Sequence, residues 1–356
     1  MELLTLEAPT QDPALFSEDS LMAHKITLIP GDGIGPEVAQ ATCDMVAATG
    51  IAIEWDTQLA GVAAVEAAGK ALPDATLASI ERTGLALKGP TTTPVGTGHV
   101  SANVGMRRAL QLYASVRPVR SLPGVKTRFE GVDLVIFREN TEGLYAGLEQ
   151  TITPGVVISM KVVTEAATRR IAKAAFDFAQ KNGRRKVTIV HKANILKLGD
   201  GLFLKICQEV AKDYPSIQAE EVIVDALCMR MVSNPNQFDV LLMENLYGDI
   251  ISDLCAGLVG GLGVVGGANL GSRCAIFEAV HGAAPDIAGK GIANPTALTK
   301  SAVMMLEHMG EHVASQKLNK GIDQVLAKGE VRTGDLGGKA TTAQFSQAVI
   351  AAIQSL

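Results

Sequence analysis

Short apolar runs alternate with helical patterns along this chain. Buried strands are predicted at 25–30, 50–55, 85–88, 132–137, 186–190 and 238–243. Helices are predicted at 36–48, 103–113, 165–181, 247–258, 296–309, 311–327 and 341–355. The first helix begins at Pro36, and its apolar face includes Val38 and Val46. Strands that alternate with helices in this way predict an α/β fold.

The composition is that of a folded protein with a small net charge. Of the 356 residues, 47% are hydrophobic and 4% aromatic, and 32 Lys and Arg face 37 Asp and Glu, which gives a net charge of −5. High apolar content with little net charge argues against disorder, and the mildly acidic balance argues against a nucleic-acid partner. The length suits two domains or one large α/β unit.

The cysteines and the first residues indicate a compartment. Five cysteines are scattered without a CxxC pair, which favours reduced thiols in a cytoplasmic protein over a disulfide framework or a zinc site. Residues 1–21 contain no Lys or Arg, unlike a secretory signal or a transit peptide, and we expect them to be a poorly ordered leader. The longest uncharged run, 254–270, is too short and too rich in glycine for a membrane span. We therefore expect a cytoplasmic protein without a membrane partner.

A glycine-rich turn follows the first predicted strand. The sequence Gly31-Asp-Gly-Ile-Gly35 lies between a strand and a helix, as a dinucleotide-binding fingerprint does. The spacing is GxGxG rather than GxGxxG, and Asp32 and Glu37 would place negative charge where a pyrophosphate would sit. A tight turn that needs small residues is the better interpretation.

Three arginines are candidate carboxylate-binding groups. Arg107 follows the polar residues Ser101 and Asn103, and Arg117 and Arg138 come later in the chain. Guanidinium groups bind carboxylates through paired hydrogen bonds, so three of them suit a di- or tricarboxylic acid. Each arginine taken alone is more often a surface ion-pair partner. Arg138, however, ends a buried strand, where sites in α/β proteins usually lie.

Two carboxylates lie one helical turn apart in a later segment. Asp249 and Asp253 are at positions i and i+4, with two isoleucines between them. Asp225, after an apolar run, is a third candidate ligand at a strand end. Oxygen ligands suit Mg²⁺ or Mn²⁺ better than zinc. Compensation of the helix dipole fully explains Asp249 without a metal, but it explains Asp253 poorly.

Two further side chains are candidates for proton transfer. Lys192 closes a buried strand, and a partly desolvated lysine can lose its proton near neutral pH and serve as a base or relay. Taken alone, a lysine whose charge reaches solvent is the preferred interpretation. Tyr145 can donate a proton to a carbanionic product.

Six motifs in order resemble those of the isocitrate/3-isopropylmalate dehydrogenase family. They are IPGDGIGPE (29–37), VIFRENTEGLYAG (135–147), VTIVHKANILK (187–197), NLYGDIISD (245–253), HGAAPDIAGKGIANP (281–295) and GDLGG (334–338). The resemblance implies an α/β fold of that family's type, which is not a true Rossmann fold. It implies a large cofactor-binding domain at 22–110 and 263–356. It also implies a smaller α/β domain at 111–262, which holds the dimer interface and the metal and substrate residues.

The resemblance also implies a reaction and a set of residue roles. The reaction is oxidative decarboxylation of a 2-hydroxy acid, with a dinucleotide and Mg²⁺ or Mn²⁺, in at least a dimer whose active sites are shared. The substrate residues are Ser101, Asn103, Arg107, Arg117 and Arg138. The metal ligands are Asp249 and Asp253, with Asp225 from the other subunit, and the catalytic residues are Tyr145 and, across the interface, Lys192. The cofactor residues are Lys88, Thr92, Thr93, Asn194, His281, Gly282, Asp286, Ile287, Asn294 and Asp335.

Two local differences within the family refine the expected substrate and cofactor. Members that act on isopropylmalate have leucines near position 103, whereas Ser101 and Asn103 are polar and suit the third carboxylate of isocitrate. NADP-type members have Lys-Tyr where this chain has Asp286-Ile287, and an acid there favours NAD⁺. We therefore expect an NAD-dependent isocitrate dehydrogenase.

Other functions within the family stay open at this point. Homoisocitrate and 3-isopropylmalate dehydrogenases share the same motifs. A regulatory subunit of a hetero-oligomeric isocitrate dehydrogenase is a further alternative. Regulatory subunits tend to lose catalytic residues, whereas this chain has the arginines, the lysine, the tyrosine and all three aspartates.

Overall fold

The computed structural model describes residues 23–92 and 101–356. These residues form two compact units. Unit 1 consists of the described residues up to Leu110, together with Leu122–Thr127 and Gly260–Leu356, and unit 2 consists of Gln111–Ser121 and Arg128–Val259. The short segment Leu122–Thr127 and residues 260–262, which the sequence analysis assigned to the middle domain, cluster with unit 1.

The strands and helices are numbered in chain order. The strands are β1 (His24–Ile29), β2 (Ile53–Thr57), β3 (Leu85–Lys88), β4 (Ala114–Arg120), β5 (Asp133–Glu139), β6 (Gly143–Thr153), β7 (Val156–Val162), β8 (Lys186–His191), β9 (Gln218–Ile223), β10 (Val240–Met243), β11 (Gly266–Leu270) and β12 (Ala275–Ala279). The helices are α1 (Gly35–Ala47), α2 (Val62–Ala68), α3 (Asp74–Thr83), α4 (Ala102–Ala109), α5 (Glu165–Lys181), α6 (Gly199–Ala211), α7 (Val224–Ser233), α8 (Asn245–Leu258), α9 (Thr296–His308), α10 (His312–Lys328) and α11 (Thr342–Gln354).

Unit 1 is built on strands in the order β2-β1-β3-β12-β11. Strands β1, β2, β3 and β12 run parallel, and β11 pairs antiparallel with β12. Helix α9 packs on β11 and β12, α1 and α10 pack on α9, and α11 packs on α1 and α10. Because β1, β3 and β12 are parallel, the turn after β1, Lys88 and Glu278 lie at the same edge of the sheet.

Unit 2 is built on strands in the order β4-β5-β10-β8-β9. Strands β5, β10, β8 and β9 are parallel, and β4 is antiparallel to β5. The helix pairs α5–α6 and α7–α8 cover this sheet. The carboxyl ends of β5, β10, β8 and β9 therefore bring Arg138, Asn245, Lys192 and Asp225 to one edge.

A separate hairpin of β6 and β7 also belongs to unit 2. Its strands pair antiparallel with two register irregularities, and seven of its large apolar side chains are exposed. Among them are Leu148, Ile152, Val157 and Met160, with exposed fractions from 46% to 61%. An apolar ribbon of this kind is a frequent contact surface in protein assemblies.

Local sequence explains where helices begin and end. Pro36 occupies the first turn of α1, where its missing N–H is not needed. The Thr164 hydroxyl accepts a hydrogen bond from the Ala167 N–H and caps α5, and Thr341 with Gln344 forms a capping box at α11. Gly84 adopts a left-handed conformation that ends α3 and leads into β3.

The predicted α/β class agrees with this architecture, and several local expectations need correction. Asp225 does not end a strand, because β9 ends at Ile223 and Asp225 lies in the first turn of α7. Helix α4 ends at Ala109 rather than near residue 113, and Gln111 has a positive φ of 51°. Helices α2, α3, α6 and α7, strands β4, β11 and β12, and the β6–β7 hairpin were not predicted. No helix within 23–92 or 101–356 is both long and apolar enough to cross a membrane.

Candidate active site

Arg138 is the most deeply buried cation at the edge of unit 2. It is 1% exposed, and its guanidinium donates two hydrogen bonds to Asn245 Oδ1, at 3.0 Å from Nε and 2.7 Å from Nη2. The Asn245 amide donates in turn to the Glu142 carbonyl at 3.0 Å. A Cβ at Gly248 would lie 2.5 Å from Arg138 Cγ, so this glycine leaves the room through which the arginine side chain passes.

Helix α8 presents two carboxylates to this arginine and to Arg117. Arg138 Nη1 donates to Asp249, and Arg117 lies 3.7 Å from Asp249 and 3.4 Å from Asp253. Both arginine side chains are less than a tenth exposed, whereas the side chains of Asp249 and Asp253 are 37% and 55% exposed. Burial raises the pKa of Asp253, and the nearby Asp249 carboxylate raises it further while Arg117 opposes the shift.

Tyr145 completes this group. Its hydroxyl donates a hydrogen bond to Asp249, and the Arg138 guanidinium carbon lies 5.0 Å from the centre of its ring. Burial and the hydrogen bond to Asp249 raise the pKa of Tyr145. The phenol therefore keeps its proton near neutral pH. We call Arg117, Arg138, Tyr145, Asp249 and Asp253 the open cluster, because its carboxylates reach solvent.

Lys192 lies after β8 and is paired with Asp225 within the same chain. Its ammonium donates to the Asp225 carboxylate, and this hydrogen bond lowers the pKa of Asp225. Its backbone N–H donates to Asp200 Oδ2 at 2.6 Å. Asp200 is completely buried, and its other oxygen accepts from Lys161. The structure thus adds Asp200 as a residue that fixes the Lys192 backbone, which the sequence analysis did not identify.

Glu244 is a second buried acid that the sequence analysis did not identify. It precedes α8 and pairs with the same Lys161 side chain. Burial raises the pKa of Glu244 to about 7, although Lys161 opposes the shift. Its signal in the sequence is an acid directly after the apolar strand β10.

Unit 1 contains a different charged group at the ends of β3 and β12. Lys88 and Glu278 are register partners in these strands, and their charged atoms lie 2.7 Å apart. Glu278 also lies 3.4 Å from Arg107 and accepts a hydrogen bond of 2.6 Å from Asn269. Burial alone would raise the pKa of Glu278, but Lys88 and Arg107 hold it well below its usual range. We call Lys88, Arg107, Asn269 and Glu278 the sealed cluster.

Glu278 is the main residue of unit 1 that the sequence analysis missed. It joins Lys88, a predicted cofactor residue, to Arg107, a predicted substrate residue. Its signal in the sequence is an acid at the end of the apolar run 275–279, just before the His281-Gly282 motif. Because strand β12 was not predicted, Glu278 could not be recognised as a residue near a strand end.

Most predicted cofactor residues lie in unit 1. Asn294 is buried and donates to Asp335 at 2.9 Å, and burial lowers the pKa of His281. The remaining described residues of this set in unit 1 are Lys88, Thr92, Gly282, Asp286 and Ile287. Asn194 belongs to unit 2, and Thr93 lies outside the described residues. Asp286 is exposed on its loop.

The two polar substrate candidates lie at the start of α4. Ser101 is the residue before the helix, and Asn103 is in its first turn. Thr91 donates a hydrogen bond to Asn103 Oδ1 at 3.0 Å. The Asn103 side chain is thus held by a polar partner in the same unit.

The described residues provide donors that fit a divalent metal only in part. Asp249 and Asp253 lie one turn apart with partly exposed oxygens, which is the ligand chemistry of Mg²⁺ and Mn²⁺. Within the described ranges, His, Cys, Asp and Glu form no group of three or more that could hold a metal ion. In the open cluster, two arginines already balance the charge of these two acids. A dication here therefore needs a further acid.

A buried arginine at the carboxyl end of a parallel strand, beside a second arginine, a tyrosine and paired aspartates, suits the binding of a small carboxylic acid. The comparison with known proteins then identifies the family. Residues 25–349 match isocitrate/isopropylmalate dehydrogenase, and the chain belongs to this family.

Individual relatives share about half of their residues with this chain. The probable mitochondrial isocitrate dehydrogenase [NAD] subunit alpha of Drosophila melanogaster is 49% identical over 341 residues, which are 95% of this chain and 90% of the relative. The mitochondrial isocitrate dehydrogenase [NAD] catalytic subunit 5 of Arabidopsis thaliana is 51% identical over 324 residues, 91% of this chain and 87% of the relative. A chloroplastic 3-isopropylmalate dehydrogenase of Solanum tuberosum is 49% identical over 321 residues, 90% of each chain.

A solved structure has the same fold. The crystal structure of isocitrate dehydrogenase from Methylococcus capsulatus is 52% identical in sequence, with a TM-score of 0.91, and the match covers 93% of this chain and 99% of that one. These comparisons confirm the predicted family and fold class, and they confirm an oxidoreductase of the isocitrate dehydrogenase type. The predicted cytoplasmic location is wrong, because the similar NAD isocitrate dehydrogenase subunits of Drosophila melanogaster and Arabidopsis thaliana are named as mitochondrial proteins.

Proposed function

We propose that this chain oxidises isocitrate to 2-oxoglutarate and CO₂ with reduction of NAD⁺, and that it needs Mg²⁺ or Mn²⁺. The observation that carries this proposal is the open cluster of unit 2. Two buried guanidinium groups, a protonated phenol and two partly exposed carboxylates lie together at the ends of parallel strands. An oxidative decarboxylation needs these groups, because it binds anionic substrate groups and must return a proton to the product.

The arginines have the task of binding carboxylates. Arg138 is fixed by Asn245 from Nε and Nη2, and its Nη1 is aimed at Asp249. Arg117 is fixed by donation to the Ser252 hydroxyl. Side chains held in this way lose little conformational entropy when a substrate carboxylate binds. Arg107 of the sealed cluster is the third predicted partner for a tricarboxylate.

Tyr145 has the task of protonating the product after CO₂ leaves. Its raised pKa keeps the phenol protonated, and Asp249 fixes the direction of the hydroxyl. In this proposal Lys192, which lies beside Asp225, restores the proton in the assembled enzyme. Because the hydroxyl hydrogen points at Asp249, it must turn towards the product when the proton is transferred.

The metal and the dinucleotide supply chemistry that the side chains lack. A divalent ion held by Asp249 and Asp253, with Asp225 of a second copy, would supply Lewis-acid stabilisation of negative charge on substrate oxygens. NAD⁺ would accept the hydride. Asp286 would accept hydrogen bonds from the adenosine ribose and repel a 2′-phosphate, which supports NAD⁺ over NADP⁺.

We also infer a homo-oligomer of at least two copies. The β6–β7 hairpin exposes an apolar surface. In the open cluster, two arginines offset the two acids, so a divalent ion would need a further carboxylate. A second copy meets both needs if it covers the hairpin and brings Asp225. Exposed apolar residues of α7 and α8, Met229 and Ile250 among them, would extend the same contact.

The substrate is tested by comparing three acids. With purified chain, NAD⁺ and Mn²⁺, we expect kcat/KM for isocitrate to exceed that for 3-isopropylmalate by about 100-fold or more, because a site built for a carboxylate leaves an arginine unpaired when an isopropyl group replaces it. Homoisocitrate is the third acid for which kcat/KM is measured. A preference for 3-isopropylmalate would contradict the role of Asn103, and activity that appears only with a partner chain would indicate a regulatory subunit.

A further inference from the structure

The glycine-rich turn after β1 contacts two loops of unit 1 at once. One is the loop after β3, residues 89–92, and the other follows β12, residues 283–291. On the first side, the Asp32 N–H donates to the Pro90 carbonyl at 2.7 Å. On the second side, the Ile34 N–H donates to the Ala283 carbonyl at 2.9 Å. The turn therefore joins two segments that are distant in sequence.

The glycines of the turn are required by this double contact. A Cβ at Gly31 would lie 2.0 Å from the Pro90 oxygen, and one at Gly33 would lie 2.0 Å from the Ala283 oxygen. The loop after β3 also needs a glycine at this contact, because a Cβ at Gly89 would lie 2.0 Å from the Pro30 oxygen. The pattern that resembles a dinucleotide fingerprint thus allows backbone to approach backbone. It does not provide a phosphate cradle.

Asp32 of this turn and Glu37 of the first turn of α1 hold these loops by their side chains. The buried Asp32 carboxylate accepts hydrogen bonds from the backbone N–H groups of Thr92 at 2.7 Å, Val62 at 3.0 Å and Ala63 at 3.1 Å. The Glu37 carboxylate accepts from the Gly291 N–H at 3.1 Å, at the far end of the second loop. The acids that made a pyrophosphate site improbable therefore have backbone partners.

Both loops carry residues of the proposed NAD⁺ site. Thr92 belongs to the first loop, and Asp286 and Ile287 belong to the second. We propose that Asp32 and Glu37 are positioning residues for the dinucleotide, which act by fixing these two loops before the cofactor binds. This inference rests on the proposed function, since it takes these residues as the cofactor site. Ordering the loops in advance lowers the entropic cost of binding.

The first measurement is amide hydrogen exchange of the free protein. In Asp32→Asn, we expect faster exchange at Thr92, and in Glu37→Gln, faster exchange at Gly291, because each amide loses a charged acceptor. Thr76→Val is the matched control. It removes a buried hydrogen bond of 2.7 Å to the Leu59 carbonyl in the same unit and touches neither loop. Unchanged exchange at Thr92 and Gly291 would overturn the proposal.

The second measurement is the affinity for NADH, followed by NADH fluorescence at a temperature well below unfolding. We expect the dissociation constant to rise about tenfold in each acid variant, the equivalent of one lost hydrogen bond to a charged group. In the acid variants, KM for NAD⁺ should rise in parallel, while kcat stays nearly unchanged. In the Thr76→Val control, the NADH dissociation constant and KM for NAD⁺ should stay close to those of wild type. A lower melting temperature with unchanged NADH affinity would mean that the acids only stabilise the fold. A wild-type chain that binds no NADH would contradict the proposed function, and the exchange data would still decide whether the acids hold the loops.

Discussion

The sealed cluster of unit 1 and the open cluster of unit 2 combine similar groups in opposite ways. In the sealed cluster, a single carboxylate, Glu278, lies between Lys88 and Arg107, and all three side chains are at most 12% exposed. In the open cluster, the cations are buried, but the side chains of Asp249 and Asp253 are 37% and 55% exposed. The first arrangement fixes its carboxylate, and the second leaves its carboxylates accessible.

The pKa shifts of the two clusters have opposite signs. Two cations hold the pKa of Glu278 below its usual range despite burial, so this group stays charged and paired. Burial and Asp249 raise the pKa of Asp253 against the opposing effect of Arg117, so its charged form is disfavoured in the folded chain. A carboxylate whose charged form is disfavoured gains most when a cation binds. Side-chain exposure and the direction of the pKa shift therefore distinguish Glu278, which stabilises the fold, from Asp253, the candidate metal ligand.

The largest expected effect is on catalysis by the open cluster. Arg138→Lys keeps the charge but loses the planar fork, and we expect kcat/KM for isocitrate to fall about 1,000-fold. Steady-state kinetics measure this change. Arg120→Lys, which alters a partly exposed pair with Asp133 in the same unit, is the control and should change kcat/KM by less than about twofold. Near wild-type activity of Arg138→Lys would remove this arginine from the site.

The next effect is on stability through the sealed cluster. Glu278→Gln leaves the buried Lys88 without its carboxylate, and we expect the free energy of unfolding at pH 7 to fall by about 3 kcal/mol in urea titrations. Glu311→Gln, which breaks a partly exposed pair with His24, is the control and should cost less than about 1 kcal/mol.

The same variant has an expected pH dependence. The pKa of Glu278 lies below its ordinary value of 4.5 in the folded chain, so its contribution to stability is present above pH 4.5. The contribution is lost as the pH falls through the lower folded-state pKa. The difference between wild type and Glu278→Gln should therefore narrow in acid. A difference that stays constant from pH 7 to pH 3 would contradict the ion pair as its source.

The smallest effect is on metal-dependent stability. At a concentration of Mn²⁺ 100 times its dissociation constant, we expect wild type to gain about 2.7 kcal/mol, and Asp253→Asn to lose most of that gain. Without metal, Asp253→Asn should melt close to wild type, because the side chain is 55% exposed. Glu165→Gln, which changes a surface pair on α5, should keep the full Mn²⁺ response. If Asp253→Asn keeps the full gain in stability with Mn²⁺, Asp253 is not a metal ligand.

Much of the fold could be predicted from local pattern. The apolar runs of β1, β5, β8 and β10 are buried on both faces, so continuity of apolar residues marks them. The prediction for α5, 165–181, matches the helix in the structure. The β6–β7 hairpin was missed for a physical reason: its apolar residues are exposed, and its register is irregular, so neither burial nor strict alternation marks it.

The sequence relates candidate residues within one motif, but it does not reveal their partners in distant segments. Side chains in one motif, such as Asp249 and Asp253, are related by helix periodicity, which the sequence contains. Lys88 and Glu278 are 190 positions apart, and only the parallel pairing of β3 with β12 brings them together. Asp32 with Thr92 is a similar case, because the partner is a backbone amide and carries no signature in the sequence.

Gly248 constrains which side chains positions 138 and 248 can hold together. Since a methyl group at position 248 would collide with the Arg138 side chain, the two positions constrain each other. A larger residue at 248 is acceptable only after position 138 has become smaller, and a smaller residue at 138 has lost the guanidinium. A single mutation that enlarges position 248 therefore displaces Arg138 from its place beside Asn245 and Asp249.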